Sequence, residues 1–402
     1  MLVSEVINDI GEHIVFGCFN VYKTLMRYVC LLFFPIVKKL VQRKHDRTGL
    51  SVNGKEPWAV QVLKEQEFYL RNAIEWNFGF FEGYMDEEWT TQDLTDLATR
   101  SMLTRNTKEI LHPLTWIMSR MNLQTKSRAW AVGEGHYDIG NDIYEVMLGK
   151  YMQYSCGYWK DAKTLDDAQY AKMDLIAQKL KLKPGMKVLD IGCGFGSLDL
   201  HLAKHYGVSV VGCSISKEQT RYGEQICKGF PVEFRLCDYR DLNEKFDRIV
   251  SVGMFEHVGI RNYRTFFEVV RRCLKDDGIF LLQTIANNHD SVAGFDVWCH
   301  KYIFPNGYVP YYMDICKAIE KLWIIEDWHN FGPDYAKTLA AWEKNFDAAW
   351  PEKLRSKYGD RFYRMWKIYL SMAQGFFGSR AFQLYQIVLS KDGLSEGYRA
   401  IR

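Results

Sequence analysis

Lys187-Val-Leu-Asp-Ile-Gly-Cys-Gly-Phe-Gly-Ser197 is the stretch that decides the fold. Its first half is short and apolar, which predicts a buried strand, and an apolar run that predicts a helix follows the glycines. A strand, a glycine-rich turn and a helix form a cradle for a nucleotide-like ligand, because glycine permits positive φ and a helix start leaves N–H groups unpaired. The alternative is a tight turn that binds nothing.

The glycine spacing and the acid beside it indicate which ligand the turn would hold. Gly192, Gly194 and Gly196 follow the pattern G-x-G-x-G, which departs from the G-x-G-x-x-G of dinucleotide-binding folds. Asp190 precedes the first glycine, and a carboxylate here suits the ammonium group of S-adenosylmethionine (SAM). The loop therefore predicts a SAM site in which Asp190 binds the cofactor.

Strands and helices alternate after this loop, which is typical of an α/β doubly wound, Rossmann-like sheet. Residues 290–330 are interpreted as irregular and aromatic, and residues 79–89 as a packed turn. The predicted strands are 188–191, 208–213, 232–236, 246–252, 279–284 and 381–390. The predicted helices include 65–76, 93–103, 165–180, 217–227 and 262–274, with more inside 336–375.

Three regions are expected along the chain: an amphipathic segment at 1–49, a small, mainly helical N-terminal domain at 50–125, and a catalytic domain at 126–402 with an aromatic insertion at about 290–375. The first region has too short an uncharged run to span a bilayer, and Pro35 predicts a kink. Its apolar and basic residues fit a helix lying in an anionic membrane interface. The alternative is a helix packed on the protein's own core or on a second subunit.

Composition excludes several classes of protein. The net charge of +3 implies no general attraction to nucleic acid. The ten cysteines include no C-x-x-C pair, so neither a metal site nor a disulfide framework is predicted, and reduced thiols in the cytoplasm are expected. Aromatic residues make up 15% of the chain, which suggests aromatic-lined cavities or a lipid-facing surface.

Candidate binding residues follow the predicted strands, where doubly wound sheets bind ligands. No acid stands after the second strand to bind the ribose of a dinucleotide, so Ser214 and Gln219 would supply hydrogen bonds. Asp238 could accept from the adenine amino group while Tyr239 stacks on the ring. Glu256 follows the fourth strand in an apolar setting, where a carboxylate either pairs with a cation or acts on a substrate.

Seven further stretches carry a family resemblance that covers residues 50–402 almost without interruption. The chain resembles the bacterial cyclopropane fatty acid synthases in the order, spacing and content of these stretches, and residues 1–49 have no counterpart. The stretches are GFFEGYMDEEW at 79–89, GEGHYDIGNDIY at 133–144, YMQYSCGYWKDA at 151–162, LKPGMKVLDIGCGFGSL at 182–198, DYRDLNEKFDRIVSVGMFEHVG at 238–259, KYIFPNG at 301–307 and EDWHNFGPDY at 326–335.

The resemblance implies a reaction and a location. Members of the family transfer a methylene group from SAM to the cis double bond of an unsaturated acyl chain in a membrane phospholipid. The carbocation that forms is deprotonated by bound bicarbonate, and the ring closes. A cytoplasmic enzyme associated peripherally with the membrane is therefore expected, either as a monomer or as a homodimer.

The resemblance also assigns site residues. The bicarbonate-holding residues correspond to Cys156, Glu256, Ile285 and Tyr335. Because Glu256 and bicarbonate would repel each other as two anions, either Glu256 is protonated or bicarbonate donates its own O–H to it. The SAM contacts correspond to Tyr137, Tyr154, Ser155, Gly192, Gly194, Ser214, Ile215, Gln219, Asp238 and Tyr239.

One site residue departs from the family pattern. Gln283 stands where relatives carry His, and an amide can donate a hydrogen bond to an anion but cannot carry a proton. The rival functions are a related SAM-dependent C- or N-methyltransferase and a catalytically silent lipid-binding protein. A covalent role for Cys156 is disfavoured because no His is placed to activate it. Tyr302 and Phe304 are expected to contribute an apolar wall for the carbocation.

Overall fold

A computed structural model describes residues 2–104, 121–128, 130, 141–289 and 295–402, with side chains from residue 17 onward. The chain divides into two compact units. The first contains Met1–Leu123, His289–Pro305 and Phe346–Ala381, and the second contains Gln124–Asn288, Asn306–Asn345 and Phe382–Arg402. These units differ from the boundaries expected from the sequence, because two late segments join the N-terminal unit.

The second unit contains a seven-stranded sheet in the order β5-β4-β3-β6-β7-β9-β8. Neighbouring strands from β5 through β7 are parallel, and β9 runs antiparallel to both β7 and β8. The strands are β3 (Lys187–Ile191), β4 (Ser209–Ser214), β5 (Val232–Leu236), β6 (Phe246–Val252), β7 (Leu274–Asn287), β8 (Ile324–Asn330) and β9 (Phe382–Ser390).

Helices surround the central strands of this sheet, which are buried on both faces and therefore consist mainly of apolar residues. Val188, Val210 and Leu281 are almost fully enclosed and belong to one core with Ile176 and Leu202. The helices are α5 (Asn141–Met147), α6 (Leu165–Lys179), α7 (Ser197–Tyr206), α8 (Lys217–Ile226), α9 (Tyr263–Cys273) and α11 (Tyr312–Ile319); α12 (Pro333–Ala349) begins in this unit. Three-residue 3₁₀ turns at Tyr239–Asp241, Phe255–His257 and Ile260–Asn262 follow β5 and β6.

The first unit is mainly helical, as expected. Gly375 allows the helix Asp360–Gly378 to approach the helix Leu94–Leu103 closely, since a Cβ at position 375 would lie against the Ala98 Cβ. The only β structure assigned to this unit in the described part of the chain is the short pair β1 (Gln61–Val62) and β2 (Trp89–Thr90), with a bridge at Val52 and Val60. The helices are α1 (Leu2–Leu32), α2 (Phe34–Arg47), α3 (Glu65–Met85), α4 (Leu94–Leu103), α10 (Val297–Tyr302), α13 (Arg355–Tyr358) and α14 (Asp360–Gly378), and a π-helical turn spans Trp350–Leu354.

The N-terminal helices α1 and α2 meet at Phe33, and Pro35 lies in the first turn of α2, which confirms the predicted kink. One face of the pair packs on α3, where Cys30 joins Leu70 and Ile74. The two cations that interrupt the apolar run form ion pairs with α3: Arg27 with Glu67 at 2.8 Å and Lys23 with Glu75 at 3.7 Å. No helix in the described ranges combines the length and the hydropathy needed to cross a bilayer.

The predicted strands and the helices of the sheet unit are confirmed, with ends shifted by a few residues. Two interpretations are wrong. Residues 79–85 are helical instead of forming a turn. They belong to a second helical segment of α3 that follows a sharp break at Trp76 (φ 56°, ψ −132°), and Gly79 lets this segment pack closely against Arg71 of the first segment. The region 290–330 contains α10, α11 and strand β8, whose mixture of exposed and buried residues hides the alternation typical of a strand.

Candidate active site

The glycine-rich loop that follows β3 contains glycines at alternating positions, and all three have positive φ. Gly192 has φ +86°, and a Cβ there would lie 2.6 Å from the Met254 side chain. Gly194 has φ +54° and open space on its Cβ side. Asp190 is 2% exposed, and its Oδ1 accepts no hydrogen bond within the described part of the chain. A buried acceptor beside a cradle without side chains fits the ammonium end of SAM.

Residues after β4 form a small hydrogen-bonded group beside this loop. The Ser214 hydroxyl donates to Gln219 Oε1 at 3.4 Å and accepts from the Ser216 backbone N–H at 3.1 Å. Ser216 caps α8, accepting from the Gln219 N–H at 3.3 Å. Ile215 is half-buried between them. The predicted pair Ser214 and Gln219 is thus brought together, and both residues offer polar groups for a ribose or a methionine moiety.

The residues after β5 are held by an unpredicted partner. The Arg240 guanidinium donates to Asp238 Oδ1 at 2.8 Å and to Oδ2 at 2.6 Å, and its backbone N–H also donates to Oδ1. Tyr239 packs edge-on against Phe266 with ring centroids 5.4 Å apart. Asp238 Oδ2 accepts one side-chain bond and keeps capacity for a second. The adenine contacts assigned to Asp238 and Tyr239 stay predictions.

Glu256 lies in the 3₁₀ turn after β6 with its carboxyl group buried. Its Oε1 accepts from the Ile285 backbone N–H at 2.6 Å. Its Oε2 has no hydrogen-bond partner among the described residues. Burial raises the pKa of Glu256 to about 7, although the Ile285 N–H and the Thr284 hydroxyl act in the opposite direction. This carboxyl group is therefore poised to hold or release a proton near neutral pH.

Tyr335 interacts electrostatically with both Cys156 and Glu256 and so links the two. The Tyr335 hydroxyl has its pKa raised well above the usual range by burial and then by the neighbouring Cys156, Glu256 and Tyr154. Tyr154 and Tyr335 both pack against Trp342, at centroid distances of 5.3 and 6.1 Å. We call Cys156, Glu256, Ile285 and Tyr335 the Glu256 cluster. The structure thus brings together four residues that are up to 179 positions apart in the sequence.

The Cys156 thiol is not prepared for nucleophilic attack. Cys156 is fully buried, and its Sγ donates to the Gly157 carbonyl at 3.1 Å. Burial raises the pKa of this thiol well above its ordinary value, which keeps it protonated. Thr338, which the sequence did not indicate, lies 3.8 Å from the sulfur and accepts from the Gly157 backbone N–H and the Trp159 indole N–H. A positioning role suits Cys156 better than a covalent one.

Gln283 is 1% exposed on β7, two residues before Ile285, so both side chains lie on one face of the sheet. Its Oε1 accepts from Gln386 Nε2 on β9 at 2.9 Å. This bond orients the Gln283 amide and points to Gln386 as a residue that the sequence analysis missed. Glutamine at positions 383 and 386, within a predicted strand that is mostly apolar, was the available signal.

The remaining predicted residues lie in different parts of the molecule, and one is outside the described ranges. Ser155 is buried in the sheet unit, where its hydroxyl accepts from Lys172 Nζ at 2.8 Å. Tyr302 and Phe304 belong to the first unit, where Tyr302 donates to Glu82 and Phe304 packs against Tyr369. The apolar wall assigned to them stays a prediction. Tyr137 lies outside the described residues.

Comparison with known proteins agrees with this arrangement. The family described as mycolic acid cyclopropane synthetase matches residues 124–387. The chain is 47% identical over 362 residues to the cyclopropane-fatty-acyl-phospholipid synthase of Escherichia coli strain K12, covering 89% of this chain and 94% of that protein. The chain belongs to the cyclopropane fatty acid synthase family. The family prediction made from the motifs is therefore confirmed.

More distant relatives were found both by sequence and by structure. The sphingolipid C9-methyltransferase of Komagataella phaffii is 32% identical over 281 residues, covering 64% of this chain and 57% of that protein. A mycolic acid cyclopropane synthase, solved with S-adenosylhomocysteine and CTAB, is 30% identical with a TM-score of 0.61, covering 65% of this chain and 98% of that one. The predicted α/β fold is confirmed, and the protein is a SAM-dependent methyltransferase.

Proposed function

We propose that this enzyme transfers a methylene group from SAM to the cis double bond of an unsaturated acyl chain in a membrane phospholipid, forming a cyclopropane ring. The observation that carries the proposal is the Glu256 cluster, where a buried carboxyl oxygen has no hydrogen-bond partner among the described residues and a buried tyrosine hydroxyl interacts with both the Glu256 carboxyl group and the Cys156 thiol. The 47% identical relative from Escherichia coli, named as a cyclopropane-fatty-acyl-phospholipid synthase, supports the same substrate class.

The residues of the glycine-rich loop would hold SAM, which supplies an electrophilic methyl group when bound. Asp190 receives the ammonium group, Ser214 and Gln219 contact the ribose or methionine moiety, and Asp238 and Tyr239 contact the adenine. The alkene would form a C–C bond to the methyl carbon as the S–CH₃ bond of SAM breaks and S-adenosylhomocysteine leaves. A base would then remove one proton from that carbon, and the C–H electron pair would form the second C–C bond that closes the ring.

The Glu256 cluster would hold bicarbonate as that base. Tyr335 and Gln283 carry donors, and Glu256 Oε2, which has no hydrogen-bond partner in the described ranges, is an additional polar group for the anion. An anion beside Glu256 raises its pKa further above 7, so the protonated carboxyl group donates its O–H to the anion. The buried setting keeps water away from the carbocation. The protein residues thereby position the base instead of removing the proton themselves.

Purified enzyme, SAM and liposomes of a monounsaturated phospholipid test this proposal. We expect each converted lipid to gain the mass of one CH₂ and to lose its olefinic proton signals. A methylated product that keeps its olefin would favour a C-methyltransferase, a class represented by the sphingolipid relative. Methylation of an amine would contradict the proposal, and SAM binding without turnover would favour the silent lipid-binding alternative.

We also propose that α1 and α2 place this cytoplasmic enzyme on the membrane surface. The charged residues Lys23 and Arg27 pair with α3, which leaves the other side of the segment apolar. Exposed basic residues Lys39, Arg43 and Arg47 continue along α2, as required for an anionic interface. The exposed apolar residues are Val21, Tyr22, Leu25, Tyr28, Val29, Leu31, Leu32, Phe33, Ile36 and Leu40.

Replacing two of these residues tests the membrane contact. Leu25 and Leu32 are 62% and 80% exposed, so Leu25→Glu with Leu32→Glu should leave the fold intact. We expect sedimentation with anionic vesicles to weaken by at least about tenfold, because two apolar side chains no longer enter the lipid. Leu63→Glu, at a similarly exposed site in the same unit, is the control. Unchanged vesicle binding with dissociation of a dimer in light scattering would assign this face to a second subunit instead.

A further inference from the structure

Asp199 is a buried carboxyl group in the first turn of α7 that has no assigned role. It is 0% exposed, and neither oxygen receives a hydrogen bond from an N–H or hydroxyl donor in the described part of the chain. A carboxylate in such a position would lose its hydration without compensation. A protonated carboxyl group needs only one acceptor. The Asp190 carboxyl group is its neighbour, because Asp190 pairs with Gly212 across β3 and β4 and Asp199 Oδ2 lies against Gly212.

The space around Asp199 fixes its side chain against this neighbour. A Cβ built on Gly212 of β4 would lie 2.8 Å from Asp199 Oδ2 and 3.0 Å from the Cys193 sulfur. Glycine at position 212 therefore leaves room for the carboxyl group below the loop. The close packing leaves Asp199 no route to solvent, which is consistent with its complete burial.

The charges around the two carboxyl groups favour one retained proton. Lys172 on α6 is the cation that acts on Asp190, and its Nζ already donates to Ser155 and Gln153. The other titratable groups near Asp199 are the thiols of Cys193, in the loop, and Cys227, at the end of α8. Two carboxylates and one ammonium would leave a net negative charge in a buried site. One proton on the pair removes this imbalance.

We propose that Asp199 remains protonated and donates its O–H to Asp190, and that it thereby positions Asp190 as the anion that binds the ammonium group of SAM. Burial raises the pKa of both groups, while the bond from Asp199 and the charge of Lys172 lower the pKa of Asp190. Asp199 is thus a positioning residue, because it acts through Asp190. This inference rests on the proposed function only in taking SAM as the ligand of the loop.

Two substitutions separate this role from a structural one. Asp199→Asn retains a donor at the same position, so we expect its dissociation constant for SAM, measured by calorimetry, to stay within about twofold of the wild type. Asp199→Leu removes the donor and raises the pKa of Asp190, so we expect affinity to fall by about tenfold at pH 6.5. Leucine suits an enclosed apolar site, which preserves folding, and a thermal melt checks this.

The pH dependence provides the second readout. Asp190 must be ionised to bind the ammonium group, and burial raises its pKa to about 7. Burial lowers the pKa of Lys172 to about 7, so Lys172 gains its charge over the same range and also repels the ammonium group. SAM binding therefore weakens as the pH falls from about 7.5 to about 5.5. In Asp199→Leu the loss should begin at higher pH, and in Asp199→Asn it should follow the wild type. Glu218→Gln, an exposed change on α8, controls for general charge effects and should match the wild type.

The outcomes distinguish the two proposals. Equal weakening of SAM binding in Asp199→Asn and Asp199→Leu would show that Asp199 acts as an anion. Unchanged SAM binding in both variants would show that Asp199 has only a packing role. Either result overturns the inference. Normal SAM binding with no CH₂ added to liposomes would overturn the proposed function and leave this inference standing. Failure of the wild type to bind SAM would overturn both.

Discussion

The glycine-rich loop and the Glu256 cluster both contain a buried carboxyl group, but they are built differently. The loop is local: Asp190 and its glycines occupy one short stretch, and the carboxyl group beside it comes from the helix that follows directly. The Glu256 cluster is assembled from a loop before α6, the end of β6, β7 and the start of α12. The local site fits a cofactor shared by many enzymes, whereas the assembled one determines what happens to the methyl group.

This difference predicts that substitutions in the two regions impair different properties, SAM affinity in one case and turnover in the other. Substitution of Glu256 should produce the largest effect. We expect Glu256→Ala to lower turnover on liposomes by at least about a hundredfold, because the residue that orients the base is lost. Glu256→Gln keeps both an acceptor for the Ile285 N–H and a donor, so its loss should be only about tenfold. Calorimetry with SAM should give wild-type affinity in both variants. A large loss of SAM affinity would show that the two regions are not separable.

The protonation state of Glu256 predicts the direction in which turnover changes with pH. Its pKa is raised from 4.5 to about 7, so the donating carboxyl group is present at low pH and is lost as the pH rises through the pKa. At constant bicarbonate concentration, wild-type turnover should fall as the pH increases above this range, with the fall displaced upward by the bound anion. Glu256→Gln should lack this fall. A wild-type rate that rises over the same range would contradict donation by Glu256.

Gly192 should produce the next largest effect, in SAM binding. An alanine at φ +86°, with its Cβ 2.6 Å from Met254, costs roughly 1–3 kcal/mol in strain and distorts the cradle. We expect the SAM dissociation constant of Gly192→Ala to increase by about tenfold. Gly185→Ala is the matched control, because Gly185 has φ +85° but lies in a turn before β3 with open space around it. Equal loss of SAM affinity in both variants would show a general loss of stability.

Replacement of Gln283 by His should produce the smallest effect. If the amide only orients the anion, Gln283→His should change turnover by no more than about threefold, since both side chains can donate. Gln283→Leu removes the donor and should lower turnover by about tenfold, with SAM affinity unchanged. A Gln283→His variant that is faster by two orders of magnitude would indicate that proton transfer at this position matters.

The sequence predicted the local features well. Strands β3 to β6 and the glycine-rich turn were found because apolar runs and glycines act over a few positions. The partners of the site residues were not found: Arg240 for Asp238, Thr338 for Cys156 and Gln386 for Gln283. The last two pairs are more than 100 residues apart, so only the tertiary fold brings them together.

Strand β8 and the composition of the first unit show the same limit. The alternation in β8 is obscured by register shifts near Asp327, a carboxylate that pairs with Arg402 at the chain end. Segments 289–305 and 346–381 join the N-terminal unit through packing that no local pattern reports, such as the close approach of Gly375 to Ala98. Local physical rules thus predict elements and turns, whereas assembly depends on contacts between distant segments.

The most direct test of the central claim follows the hydrogens of the transferred carbon. Enzyme, liposomes of a monounsaturated phospholipid and SAM with a trideuterated methyl group are incubated with bicarbonate, and the lipid is analysed by mass spectrometry and NMR. We predict a saturated ring that retains two of the three deuterons, because one is removed when the ring closes. A product that keeps all three deuterons as a methyl group, or that keeps an olefin, would contradict the assignment of the Glu256 cluster to ring formation.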